Sequence, residues 1–327
     1  MDKLLNTLLQ TNSPSGSEDE MRQIAADFTK KYCDSVDVDA LGNVIARKNG
    51  DGQKLMLCAH MDEVGLIATF IDEKGFVRFS NIGGVDAHSI LFSRVEFLSG
   101  IKGIVACGDK VEKGNVKLKD LYIDIGAADE SEALKKISIG DMAVFEKNCA
   151  EQGGSIISKG LDNKIGCYVL LKTMELLESS RFDLYFVFSA QEEVWQRGAK
   201  TAAHTIKPDC AIAVDVTDAG DTPGSSPIPV KLGLGAAIKV MDRSVITDKP
   251  MRDRLIDVAK EEKIPYQIEI LEERYTDTWA MQQSGAGVRS CAVSVPARYI
   301  HTPNECVDQA DVESAIGLLL AFIERGL

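Results

Sequence analysis

Leu55-Met56-Leu57-Cys58-Ala59-His60-Met61-Asp62-Glu63-Val64-Gly65 runs from five apolar residues into a polar string. An apolar run this short suits a buried strand rather than a helix, so the stretch reads as a central strand with polar groups at its C-terminal end. In open α/β sheets ligands bind outside the carboxyl ends of the strands. His60 and Asp62 therefore stand at the edge where a site is expected. Upstream, Val36 to Val38 and Val44 to Ala46 read as short strands, while Leu4 to Leu9 and Ser17 to Tyr32 carry helical apolar spacing. Ser17 followed by Glu20 forms an expected capping box.

Downstream of Gly65 the texture changes to short alternating or β-branched runs: Phe76 to Phe79, Arg94 to Phe97, Gly103 to Ala106, Leu121 to Ile125 and Met142 to Phe145. Gly and Asp punctuate them, which predicts a small all-β, barrel-like unit. After Gly160 strands and helices alternate again: helix Lys164 to Glu178, strands Leu184 to Ser189 and Cys210 to Val216, helix Met251 to Glu262, strands Tyr266 to Leu271 and Val288 to Val295, and helix Ala310 to Arg325. The predicted fold is α/β, a central mixed sheet flanked by helices, with the β-unit inserted. Residues 1–64 and 155–327 would form the discontinuous catalytic domain, and 65–154 the insertion.

Composition narrows the partners. The 327 residues hold 37 Lys+Arg against 50 Asp+Glu, a formal charge of −13. An acidic chain without a basic run offers no surface for nucleic acid or an anionic membrane. Its 45% apolar and 27% charged residues suit a globular chain with a large core. No apolar stretch approaches the ~20 residues that span a bilayer, and the first ten residues read as an amphipathic helix rather than a signal peptide. The eight cysteines form no CxxC motif. Cys58, Cys167 and Cys210 lie in apolar segments, as reduced thiols do, so a cytoplasmic location is expected.

Five places put carboxylates or imidazoles at strand ends or element boundaries: His60 with Asp62, Asp162, Glu192 with Glu193, Asp215, and His301. Several negative charges gathered at one sheet edge are costly without compensation. Divalent cations would offset them. Three carboxylates and two neutral imidazoles suit a pair of ions about 3.5–4 Å apart, with a bridging hydroxide as nucleophile and one carboxylate left over as general base. A glycosidase is set aside, because its carboxyls face each other across one bond and the obvious acidic pair here is consecutive.

The strings Ala59-His60-Met61-Asp62-Glu63-Val64-Gly65, Gly160-Leu161-Asp162-Asn163, Gln191-Glu192-Glu193-Val194, Val214-Asp215-Val216, Thr276-Asp277 and Arg298-Tyr299-Ile300-His301-Thr302-Pro303 occur in this order. Together they resemble the metal-dependent glutamyl and deblocking aminopeptidases, peptidase family forty-two of clan MH, which includes the tetrahedral aminopeptidases. The resemblance extends over essentially the whole chain. It implies that His60 and Asp215 hold one metal, Glu193 and His301 the other, and that Asp162 bridges them, with a cis peptide bond after Asp162. It implies further that Asp62 orients the His60 imidazole and that Glu192 is the general base. Glu192 and Glu193 would take different roles by pointing to opposite sides of an extended segment.

Departures from the family pattern fall beside these residues. Asp162-Asn163-Lys164 stands where Asp-Asp-Arg is usual, Trp195-Gln196 follow Val194 where Gly and an aliphatic residue are usual, and Tyr275-Thr276-Asp277-Thr278-Trp279 replaces Gly-Thr-Asp-Ala. Trp195, Thr276, Asp277 and Trp279 are thus candidates for a bulkier substrate pocket. His88 and His204 match no ligand position: a surface or helix-end role is expected for His204, and at most a supporting one for His88.

The resemblance predicts an aminopeptidase acting on short peptides with two divalent ions per subunit, zinc, cobalt or manganese. It also implies a homo-oligomer, with tetrahedral dodecamers among the known assemblies. A deacylase or carboxypeptidase of the same clan is the rival enzyme, separable by whether a free substrate amine is required. A binding homologue that has lost turnover is the non-enzymatic alternative.

Overall fold

The computed structural model describes residues 1–109 and 111–327. The chain opens with helices α1 (Lys3–Leu9) and α2 (Asp19–Thr29) and strands β1 (Ser35–Val38), β2 (Val44–Lys48) and β3 (Lys54–His60). A run of β4 (Gly65–Ile71), β5 (Val77–Ile82), α3 (Ala87–Ile90), β6 (Arg94–Phe97), β7 (Lys102–Cys107), β8 (Leu121–Asp124), α4 (Glu130–Leu134) and β9 (Met142–Phe145) follows. The rest comprises β10 (Ala150–Gln152), β11 (Ser155–Ser158), α5 (Leu161–Leu176), β12 (Asp183–Ser189), α6 (Arg197–Ile206), β13 (Cys210–Asp218) and β14 (Ala236–Met241), then α7 (Lys249–Glu262), β15 (Tyr266–Ile270), α8 (Asp277–Gln282), β16 (Arg289–Arg298), β17 (Glu305–Asp308) and α9 (Gln309–Arg325).

β12, β3, β13 and β16 lie side by side and parallel, the centre of an eleven-stranded mixed sheet. Alternate residues of these strands face opposite ways. Leu55, Leu57, Ile212, Val214 and Val293 pack with α1, α2, α5, α7 and α9, whereas Met56, Cys58, Ala211, Ala213 and Ala292 pack with α6 and α8. The strands are buried on both faces, which is why their sequences are nearly continuous apolar runs.

The inserted unit is a closed barrel of order β4-β5-β8-β7-β6-β9 with its own core around Val77, Val95, Val105 and Ile123. Its strands end at Phe145. The expected boundary at 154/155 falls inside the β10–β11 hairpin, which pairs with β17 in the large sheet.

Two local expectations give way to other interactions. The Ser17–Glu20 capping box does not form: Glu18 is the N-cap of α2, without a side-chain cap bond, and its buried carboxylate accepts from Gly16 N and Gln191 N. α6 and α8 escaped the sequence reading because their buried faces are built largely from alanines, Ala199, Ala202, Ala203 and Ala280, which give weak apolar periodicity.

Candidate metal centre

The four parallel strands deliver their polar residues to one edge. His60 ends β3 opposite Ser189 of β12, Asp215 lies on β13 opposite Ser294 of β16, and His301 follows the end of β16. Tyr299 and His301 hold positive φ of 61° and 65°, which turns the chain sharply toward the site. Asp162 sits at the start of α5 off helical geometry, and its peptide bond to Asn163 is cis.

Asp162 lies between the two imidazoles. Its Oδ1 is 3.1 Å from His60 Nε2 and its Oδ2 is 3.2 Å from His301 Nε2. Asp215 Oδ1 adds a second carboxylate to His60 Nε2 at 3.6 Å, and Glu193 Oε1 one to His301 Nε2 at 3.0 Å. The result is two groups, His60–Asp162–Asp215 and Asp162–Glu193–His301, each with its ligand atoms within 4.8 Å of one another and with Asp162 shared. The outer nitrogens face carbonyls: His60 Nδ1 lies 3.0 Å from Asp62 O, and His301 Nδ1 2.7 Å from Gly84 O. A neutral ring donating from Nδ1 turns the Nε2 lone pair inward.

The electrostatics favour positive charge between these groups. Burial works against a proton on either imidazole, yet Asp162 and Asp215 hold His60 well above its ordinary range. Against the same penalty, Glu193 and Asp162 push His301 up to about 12. Burial would raise Asp162, and the imidazoles on both sides outweigh it and hold the carboxyl far below the usual range. Asp162 Oδ1 and Glu193 Oε1 are buried without a hydrogen bond among the described residues. Two unsatisfied carboxylate oxygens, each facing an imidazole nitrogen, are what a pair of cations would complete. The donor set fits zinc, cobalt or manganese.

Asp62 stands against His60 Nδ1 and also holds neighbouring backbone. Its carbonyl faces His60 Nδ1, while its carboxylate, 3.4 Å from that nitrogen, accepts from Glu192 N at 2.9 Å, Glu193 N at 3.1 Å and Ser15 Oγ at 2.6 Å. The Glu192–Glu193 segment is not extended. It lies in a tight loop in which Gln191, Trp195 and Gln196 have positive φ, and the two acids are separated by this loop and by the grip of Asp62 rather than by strand alternation. Glu192 accepts from Gln196 Nε2 at 3.0 Å. Burial, with the charges of Asp277, Asp215 and Glu193, pushes its carboxyl well up despite the attraction of His60.

The remaining candidates divide. Thr276 lines a cavity of about 330 Å³ that opens onto the centre. Asp277 lies behind it, accepting from Ser189 Oγ at 2.6 Å and Cys58 Sγ at 3.3 Å, and burial pushes it up to about 6. Trp195 is 70% exposed and stacks on Tyr275, a cavity-lining residue, at 5.9 Å between ring centroids. Trp279 lies elsewhere, beside Lys200, His204 and Gln283 in a separate surface depression. His204 is exposed in the last turn of α6 and His88 is exposed on α3.

Three features were missed. Glu305 accepts from both Asp162 N, at 3.0 Å, and His301 N, at 2.8 Å. Its position four residues after His301, at the head of a short apolar run, was the available signal. Glu63, Lys159 and Lys164 form a buried cluster beneath the centre. Burial pulls Lys159 down to about 7 against the attraction of Glu63. Arg274 lines the cavity beside His301. Of the departures from the family pattern, Asn163 donates to Val214 O at 2.8 Å and accepts from Gly166 N at 3.0 Å. A Cβ at Gly166 would come within 2.1 Å of Asn163 Oδ1.

The model of a family described as M42 glutamyl aminopeptidase matches residues 42–318. A putative aminopeptidase of Acetivibrio thermocellus is 48% identical over 310 residues, 94% of each chain. Among solved structures, an aminopeptidase of the archaeon Desulfurococcus kamchatkensis superposes with a TM-score of 0.96 at 37% identity, covering 99% of this chain and 94% of that one. The TET1 peptidase of Pyrococcus horikoshii, described as assembling into a tetrahedron or a large octahedral shell, gives a TM-score of 0.89 at 30% identity over 98% of each chain.

Proposed function

Because the chain belongs to the M42 glutamyl aminopeptidase family and is a peptide hydrolase, we propose that it releases N-terminal residues from short peptides with two divalent metal ions. His60 and Asp215 would hold one, Glu193 and His301 the other, and Asp162 would bridge them. The observation that carries this reading is the division of Asp162, one carboxylate oxygen facing each imidazole, with a further carboxylate on each side. When bound, the ions supply Lewis-acid activation of the attacking water and the scissile carbonyl.

Glu192 takes the remaining role. It is buried beside the centre and belongs to neither group of candidate ligands. Its raised proton affinity suits a group that accepts a proton from the attacking water and returns it to the leaving amine. Asp62 fixes the backbone of both glutamates, so the base and its metal-holding neighbour move as one unit. Subunits would assemble into a closed homo-oligomer of the kind described for the Pyrococcus horikoshii TET1 peptidase. The eight free cysteines suit the reducing cytoplasm, the location we assign.

The test is a panel of aminoacyl chromogenic substrates, offered to protein stripped of metal and reloaded with zinc, cobalt or manganese. Turnover of at least one free-amine substrate is expected, with Glu192→Gln retaining two metals and losing activity. No turnover of any member with two metals bound refutes the reading. Better cleavage of N-acetylated substrates transfers it to the deacylases.

A further inference from the structure

We propose that Arg274 binds a carboxylate of the substrate and so sets which peptides the cavity accepts. This rests on the aminopeptidase reading for its substrate and on the geometry of one guanidinium for its chemistry. Arg274 lies between β15 and α8 with φ of 67°, half-buried in the cavity wall. Two of its nitrogens are engaged by Asp218, Nε with Oδ2 at 2.8 Å and Nη2 with Oδ1 at 3.2 Å. That grip fixes the plane of the guanidinium and the direction of the third nitrogen, Nη1.

Nη1 meets His301 Nδ1 at 3.3 Å. The same Nδ1 lies 2.7 Å from Gly84 O, a carbonyl that can only accept, so Nδ1 carries a hydrogen and donates it there. Two donors cannot bond to each other. Nη1 therefore keeps N–H groups without an acceptor among the described residues at the wall of the cavity, and an oxygen that enters beside His301 would take them. The other lining cations are differently placed: Lys239 is engaged by the buried Glu269 and Asp242, and Arg243 stands at the exposed rim paired with Glu273. Any carbonyl could fill the position. A carboxylate also gains the charge, and charge-assisted bonds are about twice as strong as neutral ones.

The place of Nη1 limits which carboxylate it reads. The imidazole ring stands between it and the inward-facing Nε2, so the bound oxygen lies off the reacting carbon rather than on it. Two sources reach there: an acidic side chain on the N-terminal residue, or the terminal carboxylate of a dipeptide.

Calorimetric binding to metal-loaded Glu192→Gln protein, which holds peptides without cleaving them, tests this. One pair of ligands is leucyl-glycine and leucyl-glycinamide, the other glutamyl-glycinamide and glutaminyl-glycinamide. Adding Arg274→Ala is expected to weaken the carboxylate member of one pair on the order of tenfold to a hundredfold and its neutral partner by less than about threefold. The affected pair identifies the source, and Arg274→Lys should restore part of the loss. Equal losses across all four ligands, or none, overturn the proposal. If Arg274→Ala misfolds, Arg274→Gln, which keeps donors without charge, makes the same comparison. Failure of the aminopeptidase reading would show separately, as absence of cleavage by the unaltered protein.

Discussion

Replacing Glu305 should damage the centre without touching any proposed ligand. Its two carboxylate oxygens accept from the backbone N–H groups of Asp162 and His301, at 3.0 and 2.8 Å, and the residue is 2% exposed. Glu305→Ala leaves two donors without a partner in a buried site. Each costs about 1–3 kcal/mol, so the pair costs roughly 2–6 kcal/mol. Some of this is offset, because burial and the neighbouring Asp162 charge push the Glu305 carboxyl up to about 8, and alanine relieves that repulsion. Glu305→Gln keeps one acceptor and should cost about half as much, roughly 1–3 kcal/mol. Both variants loosen the two segments that carry Asp162 and His301, so metal affinity should fall about 10–100-fold. Urea denaturation of the metal-free protein measures the first effect, and titration against a competing chelator the second. Stability and metal affinity both unchanged in Glu305→Ala would refute the reasoning.

Further perturbations separate the roles of neighbouring residues. Glu192→Gln should lower kcat by about 10²–10⁴-fold while two metals remain bound by elemental analysis; loss of metal would make Glu192 a ligand instead. Asn163→Asp exchanges a donor for a carboxylate facing Val214 O and should cost about 1–3 kcal/mol, read as a lower denaturation midpoint with weaker metal binding. Glu63 is held at about 2 because Lys159 and Lys164 outweigh the effect of its burial, so its contribution is present above pH 4.5 and lost as pH falls toward 2. Glu63→Gln should cost roughly 3 kcal/mol at pH 7, and the deficit should shrink in denaturation curves taken below pH 4.5. Asp311 runs the other way: burial raises it to about 6, so its contribution falls as pH rises from 3.8 through 6. Compared with Asp311→Asn, the unaltered protein should gain relative stability at pH 4 over pH 7.5, and a constant difference would count against it.

Most of the candidate ligands were legible because they follow or end an apolar run whose burial is forced; Asp162, after Gly160-Leu161 at the start of α5, is the exception. Leu-Met-Leu-Cys-Ala before His60 and Ala-Ile-Ala-Val before Asp215 become neighbouring parallel strands, β3 and β13, and their carboxyl ends bring both residues together. What was not legible depends on partners distant in the chain. Glu305 reads as an ordinary acid until β17 pairs with β16 and β11 and brings it to Asp162. Arg274 is one of several exposed-looking charges until Asp218 fixes its plane. Proximity in sequence also misleads. Trp279 is two residues from Asp277, yet α8 is helical there and turns the indole toward α6, away from the cavity.

The proposed ligands are tied together through backbone groups by residues that do not face the centre. Asp62, two residues beyond His60, holds the N–H groups of Glu192 and Glu193. Glu305 ties Asp162 to His301, and Asn163, next to Asp162, holds the carbonyl that precedes Asp215. Every proposed ligand is thus joined to another, either by such a contact or by the chain itself. Asp162 stands in both the Glu305 and Asn163 ties and is the residue shared by the two candidate metal groups. Ties of this kind restrain the segments that carry the proposed ligands, which lowers the ordering cost of binding. It follows that the Glu305 and Asn163 substitutions, which act on Asp162 from either side of one short segment, should not be additive in metal affinity. Residues sharing a partner couple by about 0.5–3 kcal/mol, and a double-mutant cycle on metal binding that closes to zero would mean the two ties act independently.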